Sequence, residues 1–184
     1  MTMRPLIYAT TLLSICIGST SFKTPTNINK LHATKDTYRI LVIKTKYAMK
    51  IFDSTGECLA TYPVVFGNKD MSDKMMQGDR RTPEGTFKIS FKRKHEKWSR
   101  FLLIDYPNAE SIAKFNQRKA AGLIPANAQI GGSIGIHGTW PNEDFAVDGL
   151  QNWTEGCIST KNRYVEEIFD VLPVGTQITI RREK

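Results

Sequence analysis

The chain has 184 residues, a formal net charge of +8 and a sequence pI near 9.4. That length suits one domain with its own core. The basic balance favours an anionic partner, but no aromatic–basic interleaving or nucleic-acid motif accompanies it, so nucleic acid is not expected and a cell wall or membrane surface is.

The first residues read as a secretory signal peptide, residues 1–21. A basic head ends at Arg4-Pro5, an apolar run follows from Leu6 to Gly18, and small residues stand at Ser19, Thr20 and Ser21. Cys16 invites a lipidation reading, but Ile15 precedes it where a small residue is expected. Residues 22–36 are polar, with Pro25 and two asparagines, and read as a linker carrying an ordinary His32. The domain is expected over 37–184, in a protein exported to the periplasm or cell envelope and peripheral to wall or membrane. Removal of Cys16 leaves Cys58 and Cys157. An even pair in an oxidising compartment permits a disulfide; the surroundings favour a free, reactive Cys157 instead.

Strands are expected at Tyr38–Lys44, Ala48–Phe52 and Cys58–Phe66, where Pro63 demands an edge or a bulge. Lys69 to Glu84 reads as a loop holding Arg80 and Arg81, which face either solvent or a substrate carboxylate. Thr86–Phe91 is a strand, the basic run Lys92–Lys97 with His95 reads as a solvated loop end, and Phe101–Ile104 is another strand. A surface helix starts at the cap Asn108, with Ile112 and Phe115 one turn apart, and stops at Gly122. Ser133–His137 is a short strand, and Thr154–Ser159 a turn entering a helix. Val165, Ile168, Phe169 and Leu172 form one apolar stripe from Asn162, stopped by Pro173 and Gly175. Gln177–Ile180 closes the chain as a strand. Hairpin-like connections predict a mainly β (α+β) fold, a sandwich or partly closed barrel with helices at one corner.

His137-Gly138 and Gly156-Cys157 stand twenty positions apart. A thiol needs a base at neutral pH, and an imidazole supplies one, so Cys157 is the candidate nucleophile and His137 its proton carrier. Gly156 allows close backbone approach, and N–H groups around Gly156 and Cys157 are candidates to face an oxyanion. Gly138 allows the same close approach beside His137, and the Thr139 hydroxyl is a candidate to orient the imidazole. Trp140 and Trp153 bracket the intervening loop and read as groove walls or as loop packing. Thr154 reads equally as a hydrogen-bond donor in the site or as a turn residue. Glu143, Asp144 and Asp148 lack the spacing of a metal site, and the three histidines are scattered, so neither metal nor cofactor is expected.

These motifs resemble the L,D-transpeptidase catalytic domain, the YkuD family. His137-Gly138 and Thr154-Glu155-Gly156-Cys157-Ile158-Ser159 match its motif in order, Thr82-Pro-Glu-Gly85-Thr-Phe87 looks like its upstream element, and Tyr106-Pro-Asn108 with Gly175-Thr176 resembles its murein-acting members typified by YafK. Glu155 replaces the family's usual histidine, and Ser159 its usual Asn or Arg. Both are expected beside substrate, where a carboxylate tends to raise a thiol pKa unless it pairs with a cation. The resemblance implies a peptidoglycan L,D-transpeptidase. Cys157 would form a thioester at the L-centre of a diamino acid in a stem peptide. An amine acceptor would resolve it into a cross-link or an attached wall protein; water would give carboxypeptidase or amidase chemistry. A peptidoglycan-binding module with little turnover is the alternative outside catalysis.

Overall fold

The structure, a computed structural model, describes residues 37–183. The signal peptide read over 1–21, with Cys16, and the linker over 22–36, with His32, lie outside the described residues. Among the described residues no helix is long and apolar enough to cross a membrane.

Eight strands form one mixed sheet: β1 (Arg39–Ile43), β2 (Ala48–Phe52), β3 (Cys58–Pro63), β4 (Gly85–His95), β5 (Ser99–Ile104), β6 (Gly135–His137), β7 (Ile158–Ser159) and β8 (Gln177–Arg181). Their lateral order is β3-β2-β1-β8-β4-β5-β6-β7. Val65, just beyond β3, exchanges two backbone bonds with Ser159 of β7, at 2.8 and 2.9 Å. The two ends of the sheet therefore meet, and the architecture is a partly closed barrel. Pro63 ends the strand at that seam, where it owes no N–H to a neighbour.

Connections are less uniformly hairpin-like than the sequence suggests. β1 pairs with β8 and β6 with β7 in parallel. β4 is also longer than expected. Its first residues pair with β8 and the rest with β5, with a register shift between Ile89 and Phe91. The basic run up to His95 thus lies on a strand, not in a loop. Alternation explains why the charges fit there: Phe91, Arg93 and His95 share one face, and Lys92 turns to the other.

On that other face Lys92 Nζ donates to the carbonyls of Phe169 and Leu172 (2.6 Å for the latter), at the C-terminus of a helix, α3 (Asn162–Val171). A cation at this end satisfies orphan carbonyls and suits the dipole. The apolar stripe of α3 is buried as its periodicity predicts. Val165, Ile168 and Leu172 are inaccessible and join Ile40, Met49, Phe87, Leu102, Ile136 and Ile178 in one core. A single turn of helix, α2 (Phe145–Asp148), precedes α3 in the chain.

The first helix, α1 (Ala109–Ala120), is capped by Asn108, whose side chain accepts from Ser111 N–H at 3.0 Å. Gly122 follows its end at φ +67°, a conformation open to glycine. Phe115 is buried but Ile112 is 45% exposed, so this helix lays down one anchor rather than a stripe. α3 packs on β5 and β6, whereas α1 is tied to the loop before β4 through Arg118, bonded to Lys74 O and Asp73.

That loop, 67–84, lacks regular structure yet is held firmly. Asp79 accepts from Lys74 Nζ at 2.7 Å and from the backbone of Met75, Met76 and Arg81. These bonds offset the cost of burial and keep the carboxyl below its ordinary pKa. Lys44, also buried, donates to Ser72 O and Thr82 O and pairs with Glu84 at 2.9 Å. Replacing Asp79 with Ala leaves the ammonium of Lys74 buried without its counter-charge. The expected cost is about 3–5 kcal/mol in denaturant unfolding, with the m-value unchanged.

Candidate active site

His137 ends β6 and Cys157 immediately precedes β7, the parallel neighbour of β6. Both side chains line one cavity of about 490 Å³, on the face of the sheet opposite the core. Register explains the placement. Leu102, Ile136 and Ile158 are partners across β5, β6 and β7 and point into the core; Arg93, Phe101, His137 and Ser159 are partners in the adjacent row. One residue of slip would exchange the two rows.

The imidazole is fixed by a short local bond. His137 Nδ1 lies 2.7 Å from Gly138 O. A carbonyl only accepts, so Nδ1 carries the proton and the Nε2 lone pair is left to act as base. Ser159 Oγ donates to the same carbonyl at 3.1 Å. Thr139 has a different duty: its hydroxyl donates to Asp144 at 2.7 Å, and Asp144 also accepts from the first N–H of α3. The expectation that Thr139 orients the imidazole is therefore corrected in favour of the Gly138 carbonyl. Glycine is needed at 138 because a Cβ there would stand 2.0 Å from Asn162 Oδ1 and 2.8 Å from Trp98 O. The other acids of this stretch are similarly engaged, Asp148 with Lys161 at 2.6 Å.

The thiol sits on a built turn. Thr154 Oγ1 donates to Cys157 O at 2.8 Å and accepts from Gly156 N–H at 3.2 Å. Thr154 is thus a turn residue with its hydroxyl engaged, and Gly156 N–H is committed to it rather than to an oxyanion. Gly156 serves by shape: its φ is +122°, and a Cβ would lie 2.8 Å from Arg81 O. Gly67 faces the same crowding, since a Cβ there would stand 2.1 Å from Arg80 O and 2.7 Å from Thr154 O. The 67–84 loop therefore braces the nucleophile turn. Phe66 O, accepting from the N–H groups of Trp153 and Thr154, ties the turn to the barrel seam. Cys157 leads into β7, not directly into a helix as expected.

Cys157 Sγ lies 3.5 Å from Ser133 O. Burial pushes its pKa up to about 11, against the pull of the Gly135 backbone and of Lys74. Glu155 is not the cause. Its carboxylate is 79% exposed and meets Arg80 at 3.3 Å. Burial also drives His137 down to about 4, with the Gly138 bond opposing and His95 adding a little. The resting pair is a neutral thiol and a neutral imidazole. Cys58 is a second free cysteine, exposed on β3.

Several residues change role. Ser159 is fully buried, so it acts on Gly138 and not on substrate. Trp153 lines the cavity, edge-on to His137 at 5.3 Å; Trp140 does not line it, lying instead against Lys97 and Trp98. Glu155 stays on the cavity rim. Sequence reasoning missed Trp98. Its ring stacks on His137 at 4.5 Å and on His95 at 4.4 Å, and its carbonyl accepts from Gly138 N–H at 3.0 Å. Recognition of the β4–β5 hairpin would have found it, since that turn delivers residue 98 to the end of β6. Asn152 was missed too; it bridges Phe66 N–H, Asn68 O and Tyr47 Oη.

Two pH effects follow. The His137 pKa falls on folding from 6.5 to about 4, so the unfolded chain binds more protons between those values and stability drops as pH falls through them. The full contribution is on the order of 3 kcal/mol. Urea midpoints of the parent and His137→Gln proteins should converge as pH is lowered from 7 to 4. In a Cys16→Ser, Cys58→Ser background, iodoacetamide alkylation of Cys157 should be slow at pH 7 and still climbing beyond pH 9. A rate plateau by pH 8 would instead reveal a preformed thiolate.

A model of the L,D-transpeptidase catalytic domain family matches residues 37–180. No curated protein matches the chain in sequence. Among solved structures, the helical cell shape determining protein Pgp2 from Campylobacter jejuni aligns at 20% identity and TM-score 0.59, covering 85% of this chain and 54% of that one. Bd1075 from Bdellovibrio bacteriovorus aligns at 20% identity and TM-score 0.56, covering 79% and 48%. An L,D-transpeptidase from Mycobacterium tuberculosis aligns at 11% identity and TM-score 0.52, covering 79% and 58%. The chain thus spans roughly half the length of the structures it matches, and at these identities the likeness is one of fold. With a family match across nearly all the described residues, the chain belongs to the L,D-transpeptidase catalytic domain family.

Proposed function

We propose that the chain is an exported cysteine acyltransferase acting on peptidoglycan stem peptides. The observation that carries this reading is the shared cavity: Cys157 and His137 both line it, and Gly138 O holds the imidazole in the tautomer that leaves Nε2 as the base.

In this mechanism Cys157 Sγ attacks the carbonyl at the L-centre of a diamino acid. Because the resting pair is neutral, His137 Nε2 takes the thiol proton as the S–C bond forms. The N–H of Cys157 itself is the turn's candidate donor to the oxyanion, since Gly156 N–H is already bonded. Collapse of the tetrahedral intermediate breaks the C–N bond, and His137 passes its proton to the leaving amine. An acceptor amine then attacks the thioester. Its proton passes through His137 back to the departing sulfur, leaving a new amide and a neutral Cys157.

Water in place of the amine gives hydrolysis, the outcome that the YafK resemblance favours, with release of a wall-attached group. Glu155 lines the cavity and pairs with the exposed Arg80. Incubation with disaccharide-tetrapeptide, with and without an added amine, followed by mass spectrometry separates these outcomes. The expected products are a trimmed muropeptide in water and an amine adduct when acceptor is supplied. Cys157→Ala should lower turnover by at least about a thousandfold. Binding without either product would make the chain a wall-binding module.

A further inference from the structure

Arg93 lies on the cavity wall and plays no part in the chemistry above. It occupies β4, directly opposite Phe101 on β5, which is in turn opposite His137 on β6. Partners across a sheet project to the same face, so guanidinium, phenyl ring and imidazole form one row. Arg93 Cζ lies 5.8 Å from the Phe101 ring centroid, and that ring lies 6.0 Å from the imidazole, nearly parallel to it.

The cation has no counter-charge. Arg80, Arg81, Arg100 and Arg118 each meet a carboxylate. Among the described residues no acid pairs with Arg93; its side-chain contact is the Phe101 ring. Its neighbours on the cavity wall are Phe91, which is 52% exposed, and Leu103, so its surroundings on that side are apolar. Glu155, the acid on the same wall, is engaged with Arg80. An arginine held over an apolar floor beside a base, without an acid of its own, is arranged to receive an anion from outside the chain.

We propose that Arg93 anchors a free carboxylate of the acyl donor and so determines which donors reach Cys157. The inference rests on the stem-peptide reading above and deepens it. Arg93 on β4 and Cys157 at the start of β7 stand three strand spacings of about 4.8 Å apart, a span that the arginine side chain partly crosses, so the seated carboxylate lies within about two to three residues of chain from the reacting carbonyl. Where the diamino acid is diaminopimelate, two such groups lie nearest that carbonyl, the side-chain carboxylate of the diamino residue and the C-terminal carboxylate. Guanidinium pairs with either in the same fork geometry.

The test uses Cys157→Ala protein, so that binding is read without turnover. Its dissociation constant is measured by calorimetry for a tetrapeptide donor with both carboxylates free, for the side-chain amide and for the C-terminal amide. Adding Arg93→Gln should weaken binding of the free acid by about 10- to 100-fold and leave one of the two amides within about twofold. The amide left unchanged identifies the carboxylate that Arg93 holds. Arg93→Lys should fall between, since an ammonium keeps charge and loses the fork. Thermal melts of each variant confirm folding, and Arg93 is exposed enough that none should unfold. Equal loss for the free acid and both amides, no loss for any, or no binding by the parent would overturn the assignment. Turnover by the wild-type protein, measured in parallel, tests the acyltransfer reading separately: an active enzyme whose free-acid preference survives Arg93→Gln sinks the anchor alone.

Discussion

The carbonyl of Gly138 is the interaction on which the site depends. It accepts from His137 Nδ1 at 2.7 Å and from Ser159 Oγ at 3.1 Å. The first bond selects the tautomer, and the second ties that selection to β7, the strand that begins beside the nucleophile. Gly138 must be glycine to let this peptide fit between Asn162 and Trp98. The base, the nucleophile strand and the start of α3 therefore meet at one peptide unit. This also accounts for the departure at 159. A serine reaches the carbonyl beneath it from a fully buried position, a role that a longer side chain aimed at substrate would not fill.

Barrel closure supplies the second constraint. The Val65–Ser159 bridge brings the far edge of the sheet to the catalytic strand. The segment after it carries Phe66, whose carbonyl holds Trp153 and Thr154, and Gly67, which lets the start of the 67–84 loop pack against Arg80 O and Thr154 O. An irregular loop pinned by Asp79 and Lys44 thus backs a turn that the Thr154 hydroxyl and the Phe66 carbonyl also hold. The placement of Cys157 rests on these long-range contacts as well as on local turn chemistry.

Much of this was legible in the chain itself. The strands from β1 to β3, the Asn108 cap and the stripe of α3 follow from periodicity, because each is decided by local chemistry, and the motif brought Cys157 and His137 to notice, which line one cavity. What escaped was decided by register. The basic run at 92–97 reads as a loop because charges dominate it, yet alternation lets Lys92 cap a helix while Arg93 faces a cavity. Trp98 was invisible for the same reason: only the β4–β5 hairpin carries it to the imidazole. Thr139 was misjudged, and Thr154 left open between two readings, because a hydroxyl's partner, Asp144 in one case and a turn carbonyl in the other, is not encoded by its neighbours in sequence.

The resting thiol has a consequence for chemical durability. Peroxides and disulfides react with thiolates, and a thiol held near pKa 11 offers very little of that form at neutral pH. At neutral pH Cys157 is thereby a poorer target for sulfenic acid formation than a permanently ionised cysteine, although it lines a cavity and Cys58 stands exposed elsewhere on the surface. On the acyl-transfer reading proposed above, activation waits until a carbonyl is in place to accept the sulfur's electrons. A cysteine so placed gives up some intrinsic reactivity and in return outlasts oxidants that would consume a thiolate.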